Sequence, residues 1–254
     1  MYILTYRFSL LGDFNRFTPT TSNIIAWSQA LQGKGYEFLP NIISSQPPVI
    51  PFFPAQPIPQ DKRVQFTSPQ GDSIVRVLAN RVDVESSLIE ADNPNSILAE
   101  KIIIVGNLMR TMLSALGEAK GARVAYYVDA FLPESSLGSI DEKCAEYNLE
   151  LSIQNFVNCS EWSHRFNSRV KLNIGSSEEI CNAIFTLESG VLNLQNNATG
   201  EQSESKGLHI SADINTLAEV IEERFDADSL LQFCANAQVF FLDMYNQIND
   251  KFIK

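Results

Sequence analysis

Histidine, cysteine and basic residues are all scarce in this sequence of 254 residues, and each scarcity argues against a class of function. The two histidines, His164 and His209, leave few candidates for a general base. The four cysteines form no CxxC pair and have no histidine at metal-binding spacing, so we expect no metal site. Dinucleotide, phosphate-loop, zinc-protease and hydrolase motifs are also missing, so we expect no catalytic residues and no cofactor.

Positive charge is in deficit across the chain. Acidic residues outnumber basic ones by 30 to 19, which gives a formal net charge of −11. A charge of this sign disfavours binding to phosphate backbones, so nucleic acid is not the expected partner. It favours a protein partner with a basic surface, in a homo-oligomer or a hetero-oligomer.

Long hydrophobic runs and an export signal are likewise absent from the sequence. The first residues lack the cationic and apolar regions of a signal peptide. The longest apolar runs fall short of the roughly 18 residues that a membrane span requires. Sparse, unpaired cysteines are typical of a reducing compartment. Together these features predict a cytoplasmic protein without a membrane segment.

Hydrophobic periodicity is the strongest signal that the sequence does contain. Alternation from Tyr2 to Leu10 predicts a strand at the start of the chain. Helical spacing predicts one long apolar helix over residues 97–116, ended by Gly117, and a second over residues 230–252. Each of these helices follows a hairpin and a strand with a central aspartate, Asp83 or Asp213.

This matched order of elements predicts an α+β fold of two pseudo-repeated halves. Each half is expected to be an antiparallel sheet with a long helix packed on one face. The first half would span residues 1–133 and the second residues 134–254, and the two would form one compact unit.

Residues 46–59 read "QPPVIPFFPAQPIP" and hold six of the eleven prolines. Polyproline segments can dock into aromatic grooves, so this stretch could contact a partner. Its large apolar side chains favour instead an ordered loop packed on the sheet, because exposing them together would be costly. Phe52 and Phe53 are the expected anchors of that loop and also the candidate interface.

The segment "HRFNSRVK" contains a basic island flanked by the aromatic residues Trp162 and Phe166. Trp162, His164, Arg165, Arg169 and Lys171 form the candidate interaction or phosphate-binding site, because aromatic and basic residues alternate in proteins that bind single strands. Three cations make a small footprint for nucleic acid, and a solvated strand face is the simpler interpretation.

Two further sets of residues could support catalysis. Cys159 and His164 could form a thiolate pair, but five positions on a strand place their side chains on opposite faces. Carboxylates in and after the central strands could hold a divalent metal, as in a nuclease. They are the central aspartates Asp83 and Asp213, with Glu85, Glu219, Glu222, Glu223, Asp226 and Asp228. That interpretation requires the two aspartates to share one cleft. Otherwise, acidic residues at these places are explained by helix capping and the helix dipole.

Several longer stretches resemble a known family. They are "RVQFTSPQGDSIVRVLANRVDVE", "YYVDAF" and the ending "LHISADINT" followed by "FDADSLLQFCANAQVFFLDMYNQINDKF". Nearly the whole chain resembles a sporadically distributed bacterial family of proteins of about this length and of unassigned function. The resemblance implies a bacterial or phage accessory-genome setting and supplies no catalytic residues.

Taken together, the sequence predicts a non-enzymatic protein that acts through protein–protein contacts. An antitoxin, an immunity protein or a subunit of an anti-phage defence complex would fit this description. The alternatives are a metal-dependent nuclease that uses the acidic residues and a nucleic-acid or nucleotide binder that uses the basic island.

Overall fold

The computed structural model describes residues 1–45, 61–90, 93–134, 162–175, 177–195 and 202–253. Within these residues, nine strands form a single antiparallel sheet in the order β2-β3-β4-β5-β1-β6-β9-β8-β7. The strands are β1 (Tyr2–Leu11), β2 (Leu39–Ser45), β3 (Asp61–Thr67), β4 (Ser73–Val77), β5 (Arg81–Glu90), β6 (Arg123–Pro133), β7 (Ser163–Ile174), β8 (Ser177–Gln195) and β9 (Gln202–Thr216). Among the described strands β1 is therefore central, and β2 and β7 are the two edges.

The prediction of two sheets, each carrying its own helix, is wrong. Strand β6 is the last strand of residues 1–133, and it pairs with β9 from residues 134–254 along Ala125–Pro133. The two expected sheets are therefore one sheet. The physical reason is that separate halves would each leave an additional row of unpaired N–H and C=O groups, which the β6–β9 ladder satisfies.

Three helices pack on one face of this sheet within the described residues: α1 (Thr21–Gln32), α2 (Pro94–Ala115) and α3 (Ala227–Ile253). Helix α1 contacts β2 and α2, and helix α2 contacts β1 and β5. Helix α3 contacts α2, the central strand β1, and β6, β9 and β7. Within the same residues, no helix is both long and apolar enough to cross a bilayer.

The helix ends follow local capping chemistry. The Thr20 hydroxyl accepts from the amide of Asn23 at the start of α1, and the Asn93 side chain accepts from the amide of Asn95 at the start of α2. These contacts satisfy amide groups that have no partner inside the helix. The prediction that Gly117 follows the end of α2 is confirmed, because its φ of 72° lies in the left-handed region that glycine adopts without strain.

Alternate strand residues build the core beneath the helices. On β6 the buried residues Val124, Tyr126 and Val128 alternate with half-buried ones. Tyr6, Phe8 and Tyr126 form an aromatic cluster with ring centroids 5.2 to 6.0 Å apart. Burying each large side chain stabilises the fold by about 1.5–3 kcal/mol. The predicted helix over residues 230–252 is confirmed as part of α3, and Leu230, Phe233, Ala237 and Phe241 on it are fully buried.

The opposite side of the sheet is mainly polar, and we call it the helix-free face because none of the described helices packs on it. In an antiparallel sheet, residues directly opposite one another share a face, so the register defines rows that cross all strands. One such row contains Gln65, Arg76, Asp83, Ser9, Ala125, Asn215, Asn182 and Arg169.

The proline-rich stretch lies outside the described residues, and so do Phe52 and Phe53. The strands that flank it are direct neighbours: β2 pairs with β3 from Leu39 opposite Thr67 to Ser45 opposite Asp61. Residues 46–60 therefore connect two adjacent strands of the same sheet.

Candidate functional site at the edge of the sheet

Strand β7 carries the basic island, and Trp162 directly precedes it. Strand β8 is the neighbour of β7 on one side, and within the described residues no strand pairs with its other side. Most side chains from Ser163 to Arg169 are exposed. The predicted site residues thus lie along a strand that is an edge of the sheet as far as the described residues form it.

The structure separates the cations from the aromatic residues. Arg165 lies opposite Thr186, and Arg169 lies opposite Asn182, on the helix-free face. Phe166 lies opposite the buried Phe185, on the face that the helices cover. Because neighbouring strand residues point to opposite faces, the two kinds of side chain do not converge on one groove. The arrangement expected for binding a single nucleic-acid strand is therefore not formed by these residues.

The three cations differ in their surroundings. The Lys171 ammonium lies 2.7 Å from a carboxylate oxygen of Glu178, and this hydrogen bond raises the pKa of Lys171. Arg165 and Arg169 are exposed, and neither has a hydrogen bond or an ion pair within the described parts of the chain. Four strand residues span about 13 Å, so these two guanidinium groups are separate points of positive charge.

The aromatic residues form a strip on the other face of β7. The rings of Trp162 and His164 lie 5.4 Å apart, and the Trp162 amide donates to the Ser189 hydroxyl at 3.1 Å. The indole Nε1 of Trp162 is buried, and no described residue is its hydrogen-bond partner. Phe166 continues the strip and is 57% exposed, which is unusual for a side chain of this size.

Main-chain groups of β7 point away from the sheet at every second residue. The carbonyl of Trp162 accepts from the amide of Ser189, at 3.0 Å, so even-numbered residues face β8. Hydrogen-bonded pairs alternate along an antiparallel ladder, which directs the N–H and C=O groups of odd-numbered residues outward.

Helix α3 confirms this assignment at the far end of β7. The Asn236 side chain donates to the carbonyl of Asn173 at 2.6 Å, and the Gln232 side chain accepts from the amide of Gly175 at 2.5 Å. Both main-chain groups belong to odd-numbered residues. From Ser163 to Lys171 no such contact occurs within the described residues, and we call this segment the open edge.

The cysteines of the described residues are not organised for nucleophilic chemistry. Burial raises the pKa of the Cys181 thiol to about 11, and burial also raises the pKa of Cys234 well above its usual value. A thiolate, the reactive form, is therefore disfavoured at both positions. Cys144 and Cys159 lie outside the described residues. The candidate pairing of Cys159 with His164 therefore also lies outside what the structure describes.

The two central aspartates do not share a cleft. Asp83 lies on β5 and Asp213 on β9, and strands β1 and β6 run between them. Three strand spacings amount to about 14 Å, whereas a shared metal would need oxygens within about 2.6 Å of one ion. Among the described residues, no group of three or more potential metal ligands is assembled.

Arginines already neutralise two acidic residues of the first half, Asp83 and Glu85. The fully buried Asp83 accepts from the Ser9 hydroxyl at 2.6 Å, and its other oxygen lies 2.9 Å from Nε of Arg81. The Arg81 N–H is not directed at that oxygen, so the contact is an ion pair without a hydrogen bond. Arg76 binds Glu85 at 2.9 Å. These contacts give the carboxylates of Asp83 and Glu85 a structural role in the fold.

One polar pair on the helix-free face was not anticipated from the sequence. Nδ1 of His209 lies 3.6 Å from Asp129, and the interaction raises the pKa of His209. The imidazole packs over Gly190, where a Cβ atom would lie 2.4 Å from the ring. Gly190 is paired with Gly207. A glycine in the middle of each of two strands was therefore the feature of the sequence that could have indicated this close packing.

Comparison with protein-family models, with curated proteins and with solved structures gives no match for this chain.

Proposed function

We propose that the chain is a non-enzymatic protein that binds a partner protein by adding a strand of that partner to the open edge. The observation that supports this proposal is the row of outward N–H and C=O groups from Ser163 to Lys171, which have no partner within the described residues. Free strand edges are templates for pairing, and addition of an extended peptide is a common mode of recognition.

The other edge of the sheet is less suited to this role. Strand β2 spans only Leu39–Ser45 and contains Pro40, which has no N–H to donate. Proline and short length are devices that protect an edge from pairing. Strand β7 has twelve residues and no proline, so it offers the longer continuous ladder.

The main-chain ladder could supply much of the affinity. The open edge has outward groups at five alternate residues: Ser163, Arg165, Asn167, Arg169 and Lys171. A hydrogen bond contributes about 0.5–1.5 kcal/mol net, so several of them together favour binding of an extended segment. Side chains on the two faces of β7 would then determine which segment binds.

The test compares wild-type protein with an edge-blocked variant, Asn167→Pro. Proline at this position removes an outward N–H and leaves the β7–β8 ladder intact. Proteins captured from an extract of the source organism would be identified, purified and titrated calorimetrically against both forms.

We expect at least one purified partner to bind wild-type protein and to bind Asn167→Pro at least tenfold more weakly. Arg16→Glu, which changes an exposed cation on the β1–α1 connection, is the matched control and should bind as wild type does. Equal affinity for wild-type and edge-blocked protein would refute strand addition at β7.

A further inference from the structure

We infer that the segment bound at the open edge carries carboxylates opposite Arg165 and Arg169 and apolar side chains at the positions between them. This inference rests on the proposed strand addition and names the chemistry of the partner. It follows from the different character of the two faces of β7.

The first argument is charge. Strand β7 carries three cations and no carboxylate, in a chain whose net charge is −11. Glu178 already binds Lys171, whereas Arg165 and Arg169 have no ion pair within the described residues. Opposite charges directly across a strand pair are favourable, so acidic residues at these two positions complement the edge.

The same charges disfavour a second copy of this chain as the occupant. Antiparallel pairing of two β7 strands about Asn167 would place Arg165 of one copy opposite Arg169 of the other. A shift of the register by two residues would place Arg165 opposite Lys171. Like charges directly opposite each other destabilise a strand pair, so these two registers of a second copy are disfavoured and an acidic segment complements the edge better.

The second argument is the exposed aromatic face. Phe166 is 57% exposed on the side of the sheet that the helices cover elsewhere. An added strand would place its own alternate side chains on that side, next to Phe166. Apolar residues at these positions would remove the ring from water, which makes them the favourable choice.

These constraints define a sequence pattern. In an antiparallel strand, the residues opposite Arg169 and Arg165 are four positions apart, so the pattern is an acidic residue at i and at i+4. Apolar residues occupy i+1 and i+3, and the latter lies opposite Phe166. The contacts of Gln232 and Asn236 with the end of β7 limit the segment to the length of Ser163–Lys171.

Three synthetic peptides of nine residues test the inference against the full chain by fluorescence anisotropy. The first alternates glutamate and valine, and the second alternates lysine and valine. The third is the glutamate peptide with N-methyl groups on the glutamates, whose N–H groups would face β7. We expect the glutamate peptide to bind at least tenfold more tightly than either of the others.

Charge reversal on the protein completes the experiment. Arg165→Glu combined with Arg169→Glu should invert the preference, so that the lysine peptide binds more tightly. Arg16→Glu, the matched control, should leave the preference unchanged.

The possible failures have separate meanings. If the lysine peptide binds as tightly as the glutamate peptide and N-methylation still abolishes binding, the acidic pattern is wrong and strand addition stands. If the N-methylated peptide binds as tightly as its parent, strand addition itself is wrong. Absence of binding by all three peptides at millimolar concentration would overturn both.

Discussion

The side-chain amide of Asn236 on α3 donates to the main-chain carbonyl of Asn173 on β7, at 2.6 Å. The same helix supplies Phe233 and Ala237 to the core. Helix α3 therefore has two roles: its buried side packs on the sheet, and two polar side chains satisfy the end of the edge strand. The boundary of the open edge is thus fixed by the most extensive helix of the described structure.

Proline substitutions along β7 should have effects that alternate with position. Asn167→Pro removes an outward N–H and should lower the free energy of unfolding by about 1 kcal/mol. Ser168→Pro removes a ladder hydrogen bond to β8 and should lower it by about 3 kcal/mol or more. Urea denaturation of both variants measures the difference. Equal losses would show that the assignment of outward and inward groups is incorrect.

Two buried tyrosines should respond in opposite ways to loss of the hydroxyl. Tyr6 donates to Oε1 of Gln238 at 2.6 Å, whereas the buried Tyr126 hydroxyl has no partner among the described residues. Tyr6→Phe should lower the free energy of unfolding by about 1–2 kcal/mol, because it leaves the buried amide of Gln238 without that donor.

Tyr126→Phe is the matched control in the same aromatic cluster. Removing a buried hydroxyl that has no partner among the described residues should leave stability unchanged or raise it slightly. Thermal and urea unfolding of the two variants would be compared. A larger loss for Tyr126→Phe than for Tyr6→Phe would contradict the hydrogen-bond assignment.

Alanine at the paired strand glycines should destabilise the protein to different extents. At Gly207 a Cβ atom would lie 2.2 Å from the main-chain oxygen of Leu132, which cannot move without disturbing β6. At Gly190 it would meet the His209 ring, a side chain that can rotate. We expect Gly207→Ala to cost about 3 kcal/mol and Gly190→Ala about 1 kcal/mol in urea unfolding. The reverse order would argue against this packing.

Protonation of His209 should couple to stability. Interaction with Asp129 raises the pKa of His209 in the folded protein above the unfolded value of about 6.5. The folded state therefore binds the proton more tightly. The resulting stabilisation is complete below about pH 6.5 and is lost as the pH rises through the raised pKa.

NMR titration of the imidazole should show this raised pKa in wild-type protein and a lower one in Asp129→Asn. In urea unfolding, His209→Gln should remove the part of the pH dependence that lies in this window. An unchanged imidazole pKa in Asp129→Asn would show that the aspartate is not the cause.

Local features of the fold followed from the sequence, whereas its strand order did not. Alternation over residues 2–10 identified β1, and helical spacing over residues 97–116 identified α2 within a few residues of its observed bounds. The alternation of apolar and polar residues indicates which residues of a strand share a face. It carries no information on which strands are neighbours in the sheet. The pairing of β6 with β9, which merges the two halves, therefore had no local signal.

The candidate site likewise combines local features that the sequence indicated with non-local features that it did not. The opposite orientation of Arg165 and Phe166 follows from the two-residue period of a strand and was available from the sequence. The outward direction of the main-chain groups depends on the register with β8, and the closed end depends on Asn236, which is 63 positions from Asn173. Such non-local contacts could be recognised only in the structure.

The central place of β1 has a consequence for how the chain folds. Ser9 contacts Asp83 across 74 positions, and Tyr6 contacts Gln238 across 232. Each contact requires closure of a long loop before it contributes any stability, so high contact order predicts slow folding. During synthesis β1 would emerge long before both of its neighbours. It would therefore remain an unpaired apolar strand, and that interval is when chaperones would protect the nascent chain most effectively.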